Sequence, residues 1–385
     1  MKNSYELSIV MPCLNEEETI GNCIDKALKF LKEHQIDGEI IIGDNGSTDN
    51  SIKIAQGKGA GVVHVPVKGY GAAIFYAAQE AQGSYIIMGD SDDSYDFGNL
   101  MPFILKLREG YDLVMGNRFK GSIAKGAMPW KNRYIGNPVL TFIGKTLFKT
   151  DVNDFHCGLR GFSKEAFVKM DLRTTGMEFA SEMVIKASLF KLKVTEVPIT
   201  LSKDGRSRPP HLKPWRDGWR HLRFLLLYSP NWLFSIPGIS GMLVGIILSI
   251  LLIIGQQKLF GINFDVHTLV YSIFLILISF NILIFGIYTR IYTYKEGLIP
   301  ISTKAAGFID KFKLEHGLII GTLFILLGIG ATMSAISNWG QHDFGNLDPS
   351  RMMRIVLPSC LCLMMGIQII FSSFFYSVLF LNIKR

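Results

Sequence analysis

Apolar and polar positions along the first half of the chain fall into blocks whose period switches between two and about 3.6, and each switch marks an element. Residues 7–11 are an apolar run that reads as a strand stopped by Pro12, after which Ile20, Ile24, Ala27, Leu28 and Leu31 recur on one helical face. Residues 39–43 read as a second strand that ends in DNGSTDNS, where Asn-Gly is turn chemistry and Ser47 and Thr48 are placed to cap the next helix. A third strand at 61–65 precedes KGYGAAIFYAAQEA, a glycine turn opening an alanine-rich helix. A fourth strand covers 84–89 and a later one 195–201. Strands alternating with helices at this spacing predict right-handed crossovers and a mostly parallel, twisted sheet. Such sheets bind ligands off the carboxyl ends of their strands.

Beyond residue 210 the pattern changes. Within 213–228, Trp215, Trp219 and Leu222 recur at helical spacing beside Arg216, Arg220 and Arg223, which suits a helix in a membrane interface or one packed on the domain. Four apolar runs follow Pro230, at 232–254, 268–290, 317–336 and 355–379, each near the roughly 20 residues needed to cross the hydrocarbon core. The expected organisation is a domain at 1–212, an interfacial helix at 213–230 and a transmembrane domain at 231–385. Arg290, Lys295, Lys304, Lys311 and Lys313 lie between the second and third spans, and Lys384 and Arg385 end the chain. The other loops offer Lys258, Arg351 and Arg354, so both termini are expected in the cytoplasm. Lys2 is not followed by an apolar segment before Glu6, so no signal peptide is expected.

Composition agrees with a chain partly in lipid: 49% of the 385 residues are hydrophobic. A formal net charge of +8 fits an anionic membrane face or phosphorylated substrates. Nucleic acid is disfavoured, since the basic residues form no extended groove signature. Cys13, Cys23, Cys157, Cys360 and Cys362 have no metal-type spacing and read as packing residues. An intramembrane charge pair of the kind that marks a transporter is not expected.

The candidate chemistry sits at strand ends. Three of the first four strands finish in polar or acidic residues: Asn15 and Glu16, Asp44 and Asn45, then Asp90 and Asp92. In IIMGDSDDSYD, the carboxylates of Asp90, Asp92 and Asp93 crowd together, which is costly unless water or a cation neutralises them. Asp90 and Asp92, flanking the small Ser91, suit Mg2+ or Mn2+, which take few protein ligands and share the rest with phosphates. The alternative is a solvated acidic loop ahead of a helix starting near Phe97. Lys68 with the glycine turn at 69–71 can approach a phosphate, or is an ordinary surface charge.

The motifs MPCLNEEETI, DNGSTD, GDSDDSYD and GNRF, in this order over roughly residues 5–230, resemble the nucleotide-diphospho-sugar half of family 2 glycosyltransferases with the GT-A fold. Polyprenyl-phosphate and dolichyl-phosphate sugar transferases are the most similar type. The resemblance implies an α/β GT-A domain followed by an α-helical membrane domain. It implies that Pro12, Leu14, Glu16 and Asp44 border the base and ribose, that Asp90 and Asp92 face metal and diphosphate, and that Arg118 stands beside the phosphates. In dolichyl-phosphate mannose enzymes a Gln often follows the second Asp by two residues, where this chain has Ser94, so the resemblance leaves a third metal ligand open.

In MPWKNRYIGNPVLTFIGKTLF, an apolar stripe of Trp130, Ile135, Leu140, Ile143 and Leu147 has Lys131 and Arg133 at its entrance. It reads as an amphipathic helix on the domain, and by the resemblance as the place that receives the lipid phosphate, with Arg133 meeting it. DVNDFHCGLRGF carries Asp154, Gly158 and Arg160 of the same family pattern, Asp154 orienting acceptor or sugar. Glu182, four residues after Glu178, is a base candidate by the resemblance and a salt-bridge partner of Lys186 by its spacing. In KDGRSRPPH, Arg208 aligns with the family's phosphate-clamping Lys, with Arg206 assisting. A phosphate acceptor needs no base, because its second pKa is about 6. The implied reaction is metal-dependent, inverting transfer of one sugar to polyprenyl phosphate at the cytoplasmic face of the cell membrane, with glucose from UDP-glucose as the donor the bacterial relatives suggest. A processive polysaccharide synthase and a non-catalytic membrane scaffold are the alternatives, and self-association is left open.

Overall fold

The computed structural model describes residues 5–207, 214–299 and 313–379, and these divide into two units at Tyr228 and Ser229. The first unit holds strands β1 (Tyr5–Cys13), β2 (Gly38–Asp44), β3 (Gly61–His64), β4 (Gly83–Met88), β5 (Leu113–Ile123), β6 (Arg160–Ser163) and β7 (Val194–Leu201). They form one sheet in the order β3-β2-β1-β4-β6-β5-β7, parallel except for β6, which runs against both β4 and β5. The strand order reverses at β1, so the carboxyl ends of β2, β1 and β4 lie side by side at the switch point.

The period-2 alternation of the strands decides which layer each side chain enters. Leu7, Ile9, Met11 and Cys13 of β1 enter one buried cluster with Ile87, while Val10 enters the opposite cluster with Ile86 and Met88. Helices α1 (Ile20–Glu33), α2 (Ser51–Gly57) and α4 (Met101–Arg108) supply the first cluster; α3 (Tyr70–Glu80), α6 (Lys164–Met170) and α7 (Phe179–Leu189) supply the second. Between β5 and β6, a π-helical turn at Asn132–Gly136 runs into α5 (Asn137–Phe148), and α8 (Pro214–Leu227) ends the unit.

Several sequence expectations need correction. Pro12 does not end β1: pairing with β4 stops at Val10, and Pro12 still lies in register with Gly43 of β2, where no further ladder donor is required of it. Leu28 is exposed, and Cys23 and Phe30 join the buried face of α1 in its place. Ser47 and Thr48 do not cap α2, which starts at Ser51; their backbone N–H groups go to Asp44 Oδ1 (2.8 Å) and Asn15 Oδ1 (2.7 Å). The helix expected near Phe97 begins at Met101.

The second unit contains a π-helical turn (Asn231–Ser235), α9 (Ile236–Ile254), a short hairpin of β8 (Gln257–Leu259) and β9 (Ile262–Phe264), α10 (Val266–Lys295), α11 (Leu314–Gly340) and α12 (Pro349–Leu379). Its four helical segments are long and apolar enough to cross a membrane. They pack as two pairs through small residues that let backbones approach. A Cβ on Gly245 of α9 would lie 3.0 Å from the Ser272 carbonyl of α10, and one on Gly366 of α12 would lie 2.7 Å from the Gly321 carbonyl of α11. Arg354 of α12 pairs with Asp265 and donates to the Leu252 carbonyl (3.0 Å), and Tyr288 donates to the Ser372 carbonyl (2.9 Å), tying the pairs to each other. This ion pair, at the helix ends, was not anticipated from the sequence. Gly366→Leu is expected to force α11 and α12 apart and to cost about 2 kcal/mol, read as a lowered unfolding temperature in detergent. An unchanged transition would show that the close approach contributes nothing.

Candidate active site

β1 runs from the core into Asn15, whose φ of +57° turns the chain so that the Glu16 carbonyl accepts the Ile20 N–H (2.9 Å) at the start of α1. The Asn15 side chain then anchors the β2 loop by accepting the Thr48 N–H, and Ser51 Oγ receives the Glu16 N–H at 2.7 Å. The β4 end is tied to the same place: Ser91 Oγ donates to the Pro12 carbonyl (2.6 Å), and Thr19 Oγ1 donates to the Ser91 carbonyl (2.7 Å). Three separate loops are thereby locked around one cleft of about 960 Å³.

Asp90 and Asp92 both line it, while Asp93, at φ +61°, turns away to Lys26 (2.7 Å) and Asn22. Tyr70 donates to Asp90 Oδ1 (2.8 Å). Loss of hydration and then the neighbouring charge of Asp92 push the Asp90 carboxyl up to about 6. Asp92 Oδ1 accepts from Ser94 N–H (3.1 Å) and Ser94 Oγ (2.5 Å), and its Oδ2 meets the guanidinium of Arg206, which also reaches Glu16 (3.1 Å). Among the described residues no group of three or more His, Cys, Asp or Glu is arranged to hold a metal. A cation here would therefore have two carboxylates and would complete its shell with donor phosphates and water, the habit of Mg2+. The residues fit such an ion on one further ground: burial and the like charge of Asp92 make the ionised Asp90 costly, a cost that a cation between the two carboxylates would relieve once Arg206 gave up Asp92 Oδ2.

Of the residues expected to bind donor, Pro12, Leu14, Glu16, Lys68, Asp90, Ser91, Asp92 and Arg206 line the cleft. Gly69 allows the approach: at φ +146° its Cβ would meet the Thr175 carbonyl at 2.1 Å. Asp44 sits behind the lining, buried; burial pushes its carboxyl up, but hydrogen bonds from Ser47, His64 and Gly46 outweigh this and hold it low. Asn45 takes its place at the wall and accepts the Gly69 N–H (3.0 Å). Arg208 lies outside the described residues.

The other expected site residues are placed differently. Arg118 and Asp154 are buried together in a two-pronged pair, Nε to Oδ2 and Nη2 to Oδ1 both 2.7 Å, and Asp154 also accepts the Arg118 N–H (3.0 Å). Neither lines the cleft. Below Asp90, Gly158 leaves room for the carboxylate, since a Cβ there would lie 2.6 Å from Asp90 Oδ2. Arg160 is fully buried and donates to the carbonyls of Cys157 (2.7 Å), Phe155 (3.1 Å) and Ala180, fixing that loop. Glu182 is fully buried as well, bonded to Lys186 (3.0 Å), Thr174 Oγ1 (2.6 Å) and the N–H groups of Arg173 and Thr174. Its carboxylate holds the 173–176 segment against the cleft rather than entering it. Lys131 is exposed and Arg133 half-buried, the latter stacked over Tyr134 at 5.5 Å, and both stand outside the lining.

Sequence reasoning missed the opposite wall. Arg173 to Glu178 and, from α8, Arg216, Arg220, Arg223 and Phe224 complete the lining. The helical spacing of the arginines was visible, but not that their face turns to the cleft.

The family model of glycosyl transferase family 2 matches residues 8–170, and that of the glycosyltransferase family 2 C-terminal transmembrane region matches 287–380. The low-salt glycan biosynthesis hexosyltransferase Agl6 of Haloferax volcanii is 36% identical over 96% of this chain and 87% of its own length. The dolichyl-phosphate hexose transferase of the same organism is 30% identical over 55% of this chain and 89% of its own. Among solved structures, glucosyl-3-phosphoglycerate synthase from Mycobacterium tuberculosis, in complex with Mn2+, uridine-diphosphate and phosphoglyceric acid, is 23% identical, with a TM-score of 0.44 over 59% of this chain and 78% of that one. The chain belongs to glycosyltransferase family 2, an enzyme with the GT-A fold and the family's transmembrane C-terminal region.

Proposed function

We propose that the enzyme transfers one hexose, with inversion, from a nucleotide diphosphate to a polyprenyl phosphate, using Mg2+ or Mn2+. The carrying observation is the convergence of the β1, β2 and β4 ends on a cleft where Asp90 and Asp92 face Arg206 and Lys68. The hexose is supported by the Agl6 relative and the lipid acceptor by the dolichyl-phosphate hexose transferase relative. Glucose from UDP-glucose stays the donor of choice.

Pro12, Leu14, Glu16 and Asp44 would surround the base and ribose, and Lys68 and Ser91 would approach the phosphates. A divalent cation held by Asp90 and Asp92 would stabilise the charge of the departing diphosphate. Arg206 would pass from Asp92 to that diphosphate, with Arg208 beside it. Arg118, held rigid by Asp154, would supply a fixed positive charge behind the phosphates. The acceptor phosphate oxygen attacks the anomeric carbon, the bond to the diphosphate breaks, and the electron pair leaves with the nucleoside diphosphate. No proton has to be removed, so what the chain contributes is alignment and charge.

We assign the division 1–212, 213–230 and 231–385 to catalytic domain, interfacial helix and membrane domain, with both termini cytoplasmic. The exposed Trp219 of α8 supports the middle assignment, and the excess of Lys and Arg between the second and third spans supports the orientation.

The test is purified protein with radiolabelled nucleotide sugars, Mg2+ or Mn2+ and undecaprenyl phosphate. A single-sugar lipid is the expected product; a polymer would point to a processive synthase, and no turnover with any donor to a scaffold. Lys131 and Arg133 remain the residues proposed to receive the lipid phosphate at the surface. Arg133→Ala is expected to raise the acceptor KM about tenfold with nucleotide affinity unchanged. An unaltered acceptor response would remove Arg133 from the acceptor path.

A further inference from the structure

The terminal torsion of an aspartate is broad and two-fold, so its carboxylate waits in one orientation only where hydrogen bonds fix it. Asp90 and Asp92 are both fixed, each through one oxygen and each by a hydroxyl. Tyr70 Oη donates to Asp90 Oδ1 at 2.8 Å, and Ser94 Oγ donates to Asp92 Oδ1 at 2.5 Å. That leaves the Oδ2 of each carboxylate for another partner. Asp90 Oδ2 lies over Gly158, and Asp92 Oδ2 meets Arg206, a guanidinium shared with Glu16 and Asp204.

Both hydroxyls come from anchored side chains. Tyr70 is the one residue with a side chain in the turn at 69–71. Gly69 gives its N–H to Asn45 Oδ1 (3.0 Å), and a Cβ on Gly71 would lie 2.7 Å from the Thr174 carbonyl, so the turn is wedged between the β2 loop and the opposite wall. The Tyr70 ring packs against the second buried cluster, which aims its hydroxyl at Asp90. Ser94 is fixed by its backbone: its N–H also goes to Asp92 Oδ1 (3.1 Å), and its carbonyl accepts the Ser202 N–H (2.9 Å). It is buried and does not line the cleft, and its one hydroxyl proton is spent on Asp92. The position at which the resemblance left a third metal ligand open is therefore placed to orient a ligand rather than to be one.

We propose that Tyr70 and Ser94 are positioning residues for the divalent cation, each setting one carboxylate through a hydroxyl, Tyr70 acting on Asp90 and Ser94 on Asp92. This rests on reading Asp90 and Asp92 as the cation's ligands. It adds that two carboxylates oriented in advance serve in place of a third protein ligand. Hydrogen bonds that orient a ligand in this way are worth about 10–100-fold in metal affinity.

The experiment titrates Mn2+ into the full chain in detergent, with and without saturating UDP, and follows free Mn2+ by electron paramagnetic resonance. Tyr70→Phe and Ser94→Ala are each expected to weaken Mn2+ binding about tenfold and the pair about a hundredfold, since they act on different carboxylates. Ser94→Thr, which keeps the hydroxyl, should bind Mn2+ within about threefold of wild type, and UDP affinity without metal should stay within about twofold throughout. In an Asp92→Asn background, Ser94→Ala should cost no more than about twofold further, because the hydroxyl acts through that carboxylate. A further loss of about tenfold there would make Ser94 a ligand in its own right and overturn its part. Unchanged Mn2+ affinity in either single variant overturns the assignment of that residue, and so does a matching loss of metal-free UDP affinity, which would give the hydroxyl to the donor. No Mn2+ bound by the wild type with UDP present would instead strike the reading of Asp90 and Asp92 as ligands. Should Tyr70→Phe fold poorly, 4-aminophenylalanine at position 70, which keeps the ring and a donor, takes its place. It should hold Mn2+ within about threefold of wild type, and a loss of about tenfold overturns the part given to Tyr70.

Discussion

Asp92→Asn is expected to lower turnover by about 10³-fold, the scale for losing one preorganised charge-stabilising group, in a protein that still folds. Asp92 lies in the loop that follows β4, and its two oxygens face different ways: Oδ1 takes the N–H and hydroxyl of Ser94, and Oδ2 faces Arg206. An amide keeps the first set with its oxygen but turns an NH2 toward a guanidinium and removes one of two carboxylate charges. By the proposed mechanism Asp90 alone would then confront the diphosphate, and a divalent cation would lose its second protein ligand. Stability responds to two opposed changes. The attraction to Arg206 is lost, and so is the repulsion that helps push the Asp90 carboxyl up to about 6. These offset, and a residual of about 1 kcal/mol corresponds to an unfolding temperature shifted by roughly 2–4 °C. Turnover with a panel of donors, a thermal melt and the wild type in EDTA check the claim. Full wild-type rate in EDTA, or a variant within threefold of wild type, would remove the cation from the mechanism.

The residues that carry this prediction were legible in the sequence because they end apolar runs. A strand in a parallel sheet is apolar along its length, so the first polar residues past it, Asn15, Asp44 and Asp90, mark its carboxyl end without knowledge of the fold. That β1 and β2 would be neighbours follows from a short right-handed crossover, whereas β4 reaches β1 only because the chain passes back over β2 after β3. What the sequence hid depends on distant partners. β6 is only four residues long, and its antiparallel place between β4 and β5 is set by pairing across the sheet rather than by any local period. The amphipathic spacing of α8 was visible, yet whether its arginines face water, lipid headgroups or the cleft is decided by where His221 and Leu225 are buried. Glu182 illustrates the same limit. Its i, i+4 spacing to Lys186 gave the ion pair, while its hold on the Arg173 and Thr174 N–H groups, reached around a loop, left no local signature.

Asp154 supports the second large prediction, because its surroundings separate two roles that the sequence left together. Both its oxygens are committed to Arg118, whose guanidinium burial pushes down but Tyr95 and the bonds to Asp154 hold protonated well above the usual arginine range. Asp154→Ala leaves that guanidinium buried without its counter-charge and the Arg118 N–H without its acceptor. Breaking a buried pair in this way costs about 3–5 kcal/mol. For a unit of this size that is an unfolding temperature lower by roughly 6–20 °C. Asp154→Asn, which retains an acceptor oxygen but turns a donor toward the guanidinium, is expected to fall between the two. If Asp154 instead took a proton during transfer, the asparagine variant would keep its stability, lose turnover, and lose the acid limb of its pH–rate profile. The expected result is the reverse: stability falls in step with turnover, and the remaining activity keeps the wild-type pH profile, because the proposed phosphate acceptor would be ionised before it binds and the carboxylate's work is to hold an arginine still.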